Sequence, residues 1–403
     1  MSEKNDEIQI ENETIVTPQA EEPQETLKTE DEPAQVEALP DEAAKPEEGT
    51  DDAIAEEPTE VDKLTQKKVK KKKALKRLKI ALITVACVIV LIVGLCLSTY
   101  IPRVNGTDYN SDVVKANPSI VEGTLVSAHR AGRTLAPENT MAAFRACFEN
   151  MSTYSVDILE FDLHLTADNQ LILLHDDTMD RTSDCVDVYG EKKLEPIEKT
   201  YEQLQIYNMG YNFEENGVYP YRAEDADLTY CHIVRLQEVL DYVQEQETIL
   251  GKQIGYIIEI KNGKEAGYKA ADILSEIMQE YGITERTVVG TFQGEVSRYL
   301  DEKHPEIIRS AGIAEVFGFY ASYIFGIPLN NVKYKVLQIP YKDYVLNFGK
   351  KGMVDYAHKY GIAVQYWTIN KEKDIRHLAS IGADAIMSDD PKLAYDVIYG
   401  DKK

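Results

Sequence analysis

Two histidines, three carboxylates and two cations are spaced in this chain so that together they could cleave a phosphate ester. His129-Arg130 closes one apolar run, and Glu160 and Asp162 lie two apart in a second. Glu259 and Lys261 repeat that spacing in a third, and His175-Asp176 ends a fourth. Residues two apart on a strand share a face. Three carboxylates converging on one point repel one another unless they hold a cation. An all-oxygen set suits one divalent cation, Mg2+ or Ca2+, rather than zinc. Arg130 and Lys261 add positive charge beside that set, which suits an anionic phosphate. A histidine pair, with an unperturbed pKa of about 6.5, serves as general acid and base near neutral pH. Taken singly, a strand-end histidine or a Glu-x-Asp pair is ordinarily structural; their joint occurrence at consecutive strand ends is what points to chemistry. His164 shares the parity of Glu160 and Asp162 but lies farther along, and is left out.

The elements that must position these residues alternate. Eight β-rich runs, 124–129, 158–163, 255–261, 287–292, 307–312, 336–340, 363–369 and 385–389, are separated for the most part by helical patterns. Such alternation predicts an α/β fold with a parallel sheet, and eight units predict a closed (β/α)8 TIM barrel. A doubly wound open sheet is the alternative, but no glycine fingerprint opens a helix after the first strand. In the barrel, working residues lie at the C-terminal strand ends, where His129, Glu160, Asp162, Glu259, Lys261 and the single tryptophan, Trp367, all fall. One segment breaks the pattern. Only a short polar link with Asp168-Asn169 joins 163 to 171, too short for a crossover, so 171–175 returns as an antiparallel hairpin arm. A two-residue turn there places His175 opposite Asp162. A long polar insertion, 177–234, follows and reads as a lid or substrate-binding excursion.

In order and spacing, His129-Arg130, Pro137-Glu138-Asn139-Thr140, Glu160-x-Asp162, Thr166-x-Asp168, His175-Asp176 and Glu259-Ile260-Lys261 resemble the glycerophosphodiester phosphodiesterase (GDPD) family. So do Trp367-Thr368-Ile369-Asn370 and the closing 385–391, and the likeness spans 122 to about 398. Where the family has His-Arg-Gly, this chain has His129-Arg130-Ala131, a change that removes no reacting side chain. The resemblance implies a distorted barrel that hydrolyses glycerophosphodiesters to an alcohol and glycerol phosphate with a divalent metal. Carried over, His129 and His175 are the acid–base pair and Glu160, Asp162 and Glu259 the metal ligands. Arg130 and Lys261 contact the phosphate, Trp367 packs against glycerol, and Glu138 and Asp176 support the loops. A lysophospholipid or a glycerophosphate polymer is the alternative substrate, and an inactive surface-binding barrel the alternative of another class.

The rest of the chain concerns location. Of the net charge of −25, residues 1–63 hold 22 Asp/Glu against 4 Lys/Arg, and six prolines. Residues 1–65 therefore read as a disordered acidic tail. The polybasic segment 66–79 carries nine Lys/Arg and no acid, and 80–101 is 22 residues without a charge. That run predicts a transmembrane helix, with the basic flank cytoplasmic and against anionic lipid. The expected arrangement is single-pass in the plasma membrane, with a linker at 102–121 and an extracytoplasmic catalytic domain at 122–400. So acidic a body makes a poor nucleic-acid partner. Cys147, Cys185 and Cys231 show no metal spacing and read as isolated thiols, a Cys185–Cys231 disulfide being the alternative.

Overall fold

The computed structural model describes residues 60–97, 107–151, 153–342 and 346–400. Its strands are β1 (Leu125–Ala128), β2 (Ile158–Leu165), β3 (Leu171–Leu173), β4 (Gly255–Ile260), β5 (Thr287–Gly290), β6 (Ile308–Arg309), β7 (Val336–Pro340), β8 (Ala363–Trp367) and β9 (Ala385–Ser388). The helices are α1 (Glu60–Leu97), α2 (Asp112–Lys115), α3 (Met141–Glu149), α4 (Tyr201–Leu204), α5 (Leu236–Leu250), α6 (Lys264–Glu280), α7 (Gly294–Lys303), α8 (Ile313–Phe325), α9 (Lys351–Lys359), α10 (Glu372–Ser380) and α11 (Pro391–Tyr399). Neighbouring strands pair in parallel in the order β6-β5-β4-β2-β1-β9-β8-β7. A bridge between Ser310 and Val336 brings the two ends of that order together, with Ala311 N–H donating to Val336 O at 2.8 Å. The result is the expected (β/α)8 barrel, nearly closed.

Strand parity explains how β2 carries chemistry through a wholly buried run. Its odd positions, Leu159, Phe161 and Leu163, pack outward against the helix layer with Phe144, Val239 and Ala270. At the lower end of the barrel Ile158, Ile257, Val288 and Val336 form an apolar layer. Glu160 and Asp162 stand above it on the inner face, and β4 pairs with β2 so that Glu259 lies beside Asp162. A buried carboxylate is costly without partners, so these positions carry function.

The hairpin runs in a different register from the expected one. Leu163 pairs with Leu173, His164 with Ile172 and Leu165 with Leu171, one position off the expected pairing. The turn holds three residues rather than two, and Asn169 takes its left-handed position at φ 62°. Thr166 and Asp168 brace it through a 2.6 Å side-chain hydrogen bond. Leu174 N–H consequently donates to Asp162 O at 3.1 Å, and β3 ends at Leu173. His175 reaches the barrel mouth by a bend of the chain and not by lying opposite Asp162.

The insertion 177–234 has a small core of its own. Met179, Cys185, Leu194, Leu204, Tyr207 and Met209 pack on Ile172 and Leu174 of the hairpin arm. Cys147, Cys185 and Cys231 are buried free thiols, so Cys185 and Cys231 form no disulfide. At the opposite end of the barrel, part of the expected linker is folded onto the body: Val114 and Ile120 join the lower layer. Asn117 Nδ2 donates to Lys335 O at 2.7 Å and to Gly361 O at 2.9 Å. Turn-rich composition concealed those two apolar anchors.

Helix α1 is continuous over 38 residues, and its side chains from 70 to 91 are exposed, apolar ones included. Among the described residues no helix is long and apolar enough to cross a membrane. The expected span, 80–101, extends beyond the described side chains from 92 and the described backbone from 98. Most of the expected acidic tail, up to 59, also lies outside the described residues.

Candidate active site

The turn after β1 turns two consecutive side chains into the barrel mouth. Arg130, Ala131 and Gly132 all have positive φ, at 50°, 61° and 84°. Glycine adopts this conformation freely, whereas for a residue with a Cβ it costs about 1 kcal/mol or more. Ala131, buried beneath the turn, is therefore held there by its surroundings, and Cys147 Sγ donates to its carbonyl at 3.0 Å. Arg130 N–H donates to Glu160 Oε2 at 2.8 Å, and its Nη1 to Glu138 Oε1 at 2.7 Å. Its Nε lies 3.9 Å from Asp162 Oδ2, is buried and has no hydrogen-bond partner. That donor is available to an anion.

Each histidine is oriented by a carboxylate. Nδ1 of His129 is 2.6 Å from Asp389 Oδ1, and Nδ1 of His175 is 2.6 Å from Asp176 Oδ1. When Nδ1 donates to a carboxylate, Nε2 is the nitrogen left to act on substrate. Asp389 is fixed in turn by Asn370 Nδ2 at 2.7 Å, and Asp176 by Arg181 Nε at 2.6 Å. The two imidazoles differ electrostatically. Burial opposes charge on His129, but Glu160 and Asp389 outweigh it and raise its pKa. For His175 burial prevails over Asp162 and Asp176, and its pKa is lowered.

The carboxylates lie between them. Asp162 receives Asn139 Nδ2 at 3.0 Å, with Asn139 itself in the left-handed region at φ 57°, which asparagine tolerates. Lys261 Nζ is 2.9 Å from Glu259 Oε1 and 3.3 Å from Asp162 Oδ1. Burial, then the neighbouring Asp162, pushes Glu160 up to about 7. Burial also raises Glu259, against the pull of Lys261. Excess negative charge at this point is only partly met by Arg130 and Lys261, so the donor chemistry fits a cation. Among the described residues, no group of three or more His, Cys, Asp or Glu side chains is arranged to hold a metal ion. The Lys261 ammonium lies against two of the expected ligands instead.

His129, Arg130, Glu160, Asp162, His175 and Glu259 line one cavity of about 130 Å³ together with Trp367. Glu138 is just outside it, gripped by Arg130, by Arg181 at 2.6 Å and by Arg133 at 3.4 Å. Burial works against its charge, but those guanidiniums pull its pKa down to about 2. Sequence reasoning assigned no role to Asp389, Asn139, Asn370 or Arg181. The first three lie inside the quoted motifs, where their roles could have been sought. Arg181 belongs to the insertion, and no spacing pointed to it.

A barrel with such a pocket at the C-terminal strand ends has the layout of an enzyme. Residues 129–393 match the Glycerophosphoryl diester phosphodiesterase family. A glycerophosphodiester phosphodiesterase of Caldanaerobacter subterraneus subsp. tengcongensis is 24% identical over 279 residues, 68% of this chain and 98% of that protein. A human lysophospholipase D is 24% identical over 288 residues, 66% of this chain and 82% of its own. Among solved structures, a phosphodiesterase of Oleispira antarctica in complex with the product sn-glycerol-3-phosphate superposes with a TM-score of 0.52 at 19% identity, covering 68% of this chain and 97% of that one. At that identity the likeness concerns the fold. The chain belongs to the glycerophosphoryl diester phosphodiesterase family, and with it to the phosphoric diester hydrolases.

Proposed function

We propose that this chain hydrolyses glycerophosphodiesters to an alcohol and glycerol phosphate, using His129 and His175 as its acid–base pair and one divalent cation. The observation that carries this reading is the pair of carboxylate-oriented histidines on one pocket of buried carboxylates. His175, where burial disfavours the charged form, accepts the proton of the attacking group, a water or the neighbouring glycerol hydroxyl. His129, whose charged form Glu160 and Asp389 favour against burial, delivers a proton to the leaving alkoxide as the P–O bond breaks. Arg130 and Lys261 bind the phosphoryl oxygens, the buried Arg130 Nε being the free donor. Glu160, Asp162 and Glu259 are the residues that would hold Mg2+ or Ca2+, which supplies Lewis-acid polarisation of the phosphoryl group when bound. Trp367 packs against the glycerol moiety.

The names of the relatives support both glycerophosphodiesters and lysophospholipids as substrates. A glycerophosphate polymer is chemically equivalent, and the intact set of acid–base and phosphate-contacting groups argues against an inactive binding barrel. The catalytic domain acts outside the plasma membrane, held by the span at 80–101 with the N-terminus cytoplasmic. Its support is the uncharged run beside nine positive charges and the exposed apolar side chains of α1.

The test is purified protein assayed for alcohol and glycerol phosphate release from glycerophosphocholine, with His129→Ala and His175→Ala as controls. Each variant is expected to lose activity about a hundredfold or more while keeping its circular dichroism spectrum. Full turnover in either variant would sink the acid–base assignment.

A further inference from the structure

An apolar groove adjoins the catalytic pocket, and one side chain belongs to both. Phe292, just after β5, lines the pocket and also a groove along the first turns of α7 and α8. Its ring meets Trp367 edge-on, 6.1 Å between centroids with planes at 84°. Beyond Phe292 the groove, about 490 Å³, is lined by Ile313, Ala314 and Phe317. Phe292, Ile313 and Phe317 are 53%, 54% and 58% exposed. Ile313 and Phe317 are one helical turn apart and so lie on one face of α8. That helix reads IAEVFGFYASYIF, with Glu315 as its single charge.

The charges bordering the groove are largely paired with each other. Arg309 donates to Asp301 at 2.6 and 2.7 Å and to Glu315 at 2.7 and 2.9 Å; Arg298 also borders it. Three large apolar side chains so exposed in one groove mark a binding surface, and its place identifies the occupant. Trp367 lines the same cavity as both histidines and touches Phe292. Two aromatic rings in contact therefore form an apolar path from the reacting centre to the edge of the groove. A glycerophosphodiester without an acyl chain leaves that path empty. A lysophospholipid carries one acyl chain on the glycerol beside its phosphodiester.

We infer that the groove between α7 and α8 takes the acyl chain of a lysophospholipid whose phosphodiester lies among His129, His175 and Lys261. This rests on the phosphodiesterase reading above and names its substrate class. Water's oxygen bonds to phosphorus, the bond from phosphorus to the headgroup oxygen breaks, and the headgroup alkoxide takes up a proton. The products are the free headgroup alcohol and an acylated glycerol phosphate.

Trp367, as the single tryptophan, reports binding without turnover. The full chain is titrated with glycerophosphocholine and with lauroyl and myristoyl lysophosphatidylcholine below their micellar concentrations, following tryptophan emission and choline release. Phe317→Asp and Ile313→Asp alter the groove outside the catalytic pocket, so glycerophosphocholine turnover is their folding control; Phe317→Ser replaces the first if it is insoluble. The wild type should prefer the longer chain. Each variant should lower kcat/KM for lysophosphatidylcholine about tenfold, leave glycerophosphocholine unchanged, and weaken the emission change in parallel. Lysophosphatidylcholine turnover unchanged from wild type in the variants, or binding independent of chain length, overturns the inference. So does a loss seen on vesicles but not on monomeric lysolipid, which makes the stripe a bilayer contact. Failure of the underlying reading looks different: neither substrate is hydrolysed, while the emission change stays chain-length dependent and sensitive to Phe317→Asp.

Discussion

His129 and Asp389 stand 260 positions apart in the chain, yet their Nδ1 and Oδ1 atoms are 2.6 Å apart. β9 pairs with β1 so that Ser388 lies beside Ala128, and the next residue of each strand carries the interacting side chain. Closing the barrel thus completes the acid half of the proposed pair. Asp389→Asn keeps the shape but offers no negative charge, which removes one of the two groups that raise the His129 pKa. Steady-state kinetics should show kcat reduced about a hundredfold or more, with KM changed far less. An unaltered kcat would mean that Asp389 serves the fold alone.

Glu138 makes a second prediction, for stability against pH. Its folded pKa, about 2, is depressed from the ordinary 4.5 by the three guanidiniums around it. A depressed carboxyl contributes stability that is fully present above its unfolded pKa and is lost as pH falls through the folded one. The window is therefore about pH 4.5 down to 2. The shift corresponds to roughly 3 kcal/mol. Urea unfolding should find Glu138→Gln less stable than wild type by about that amount at pH 6, with the gap closing toward pH 2. A gap independent of pH would show that packing, and not charge, is what the variant loses.

Much of this was legible in the sequence, for identifiable reasons. Period-two spacing placed Glu160 with Asp162 and Glu259 with Lys261, because strand parity does not depend on tertiary detail. The strand count pointed to the barrel, because eight alternating units suffice to close one and no glycine fingerprint favoured the open doubly wound sheet. The hairpin register was not legible: whether Asp168-Asn169 makes a two- or three-residue turn depends on Asn169 entering the left-handed region, which its residue type permits but does not demand. Arg181 was beyond reach for another reason. Its contact with Glu138 crosses 43 positions and follows from how the insertion packs on Ile172 and Leu174.

The carboxylate cluster predicts the effect of metal. EDTA should abolish hydrolysis reversibly, and added Mg2+ or Ca2+ should restore it. Binding only to the folded state also stabilises it. Either ion at about a hundred times its Kd should therefore raise the unfolding free energy by about 3 kcal/mol, read as a rise in Tm by differential scanning fluorimetry. Glu259→Gln should blunt both effects. Activity undiminished after exhaustive EDTA treatment would remove the cation from the proposal and leave Lys261 and Arg130 as the whole positive charge of the site.

Topology is testable with the chain intact. The 22 uncharged residues at 80–101 would rise about 33 Å as a helix, enough for a hydrocarbon core of about 30 Å. On the proposed reading, nine positive charges immediately before them would set the orientation, since basic flanks remain on the cytoplasmic side. Protease added to intact cells should then digest the barrel while sparing an epitope placed at the N-terminus. Lysing the cells first should expose both. Carbonate washing should leave the full chain in the membrane pellet and release a variant lacking 66–101. A barrel protected in intact cells would reverse the orientation, and release of the full chain by carbonate would remove the span.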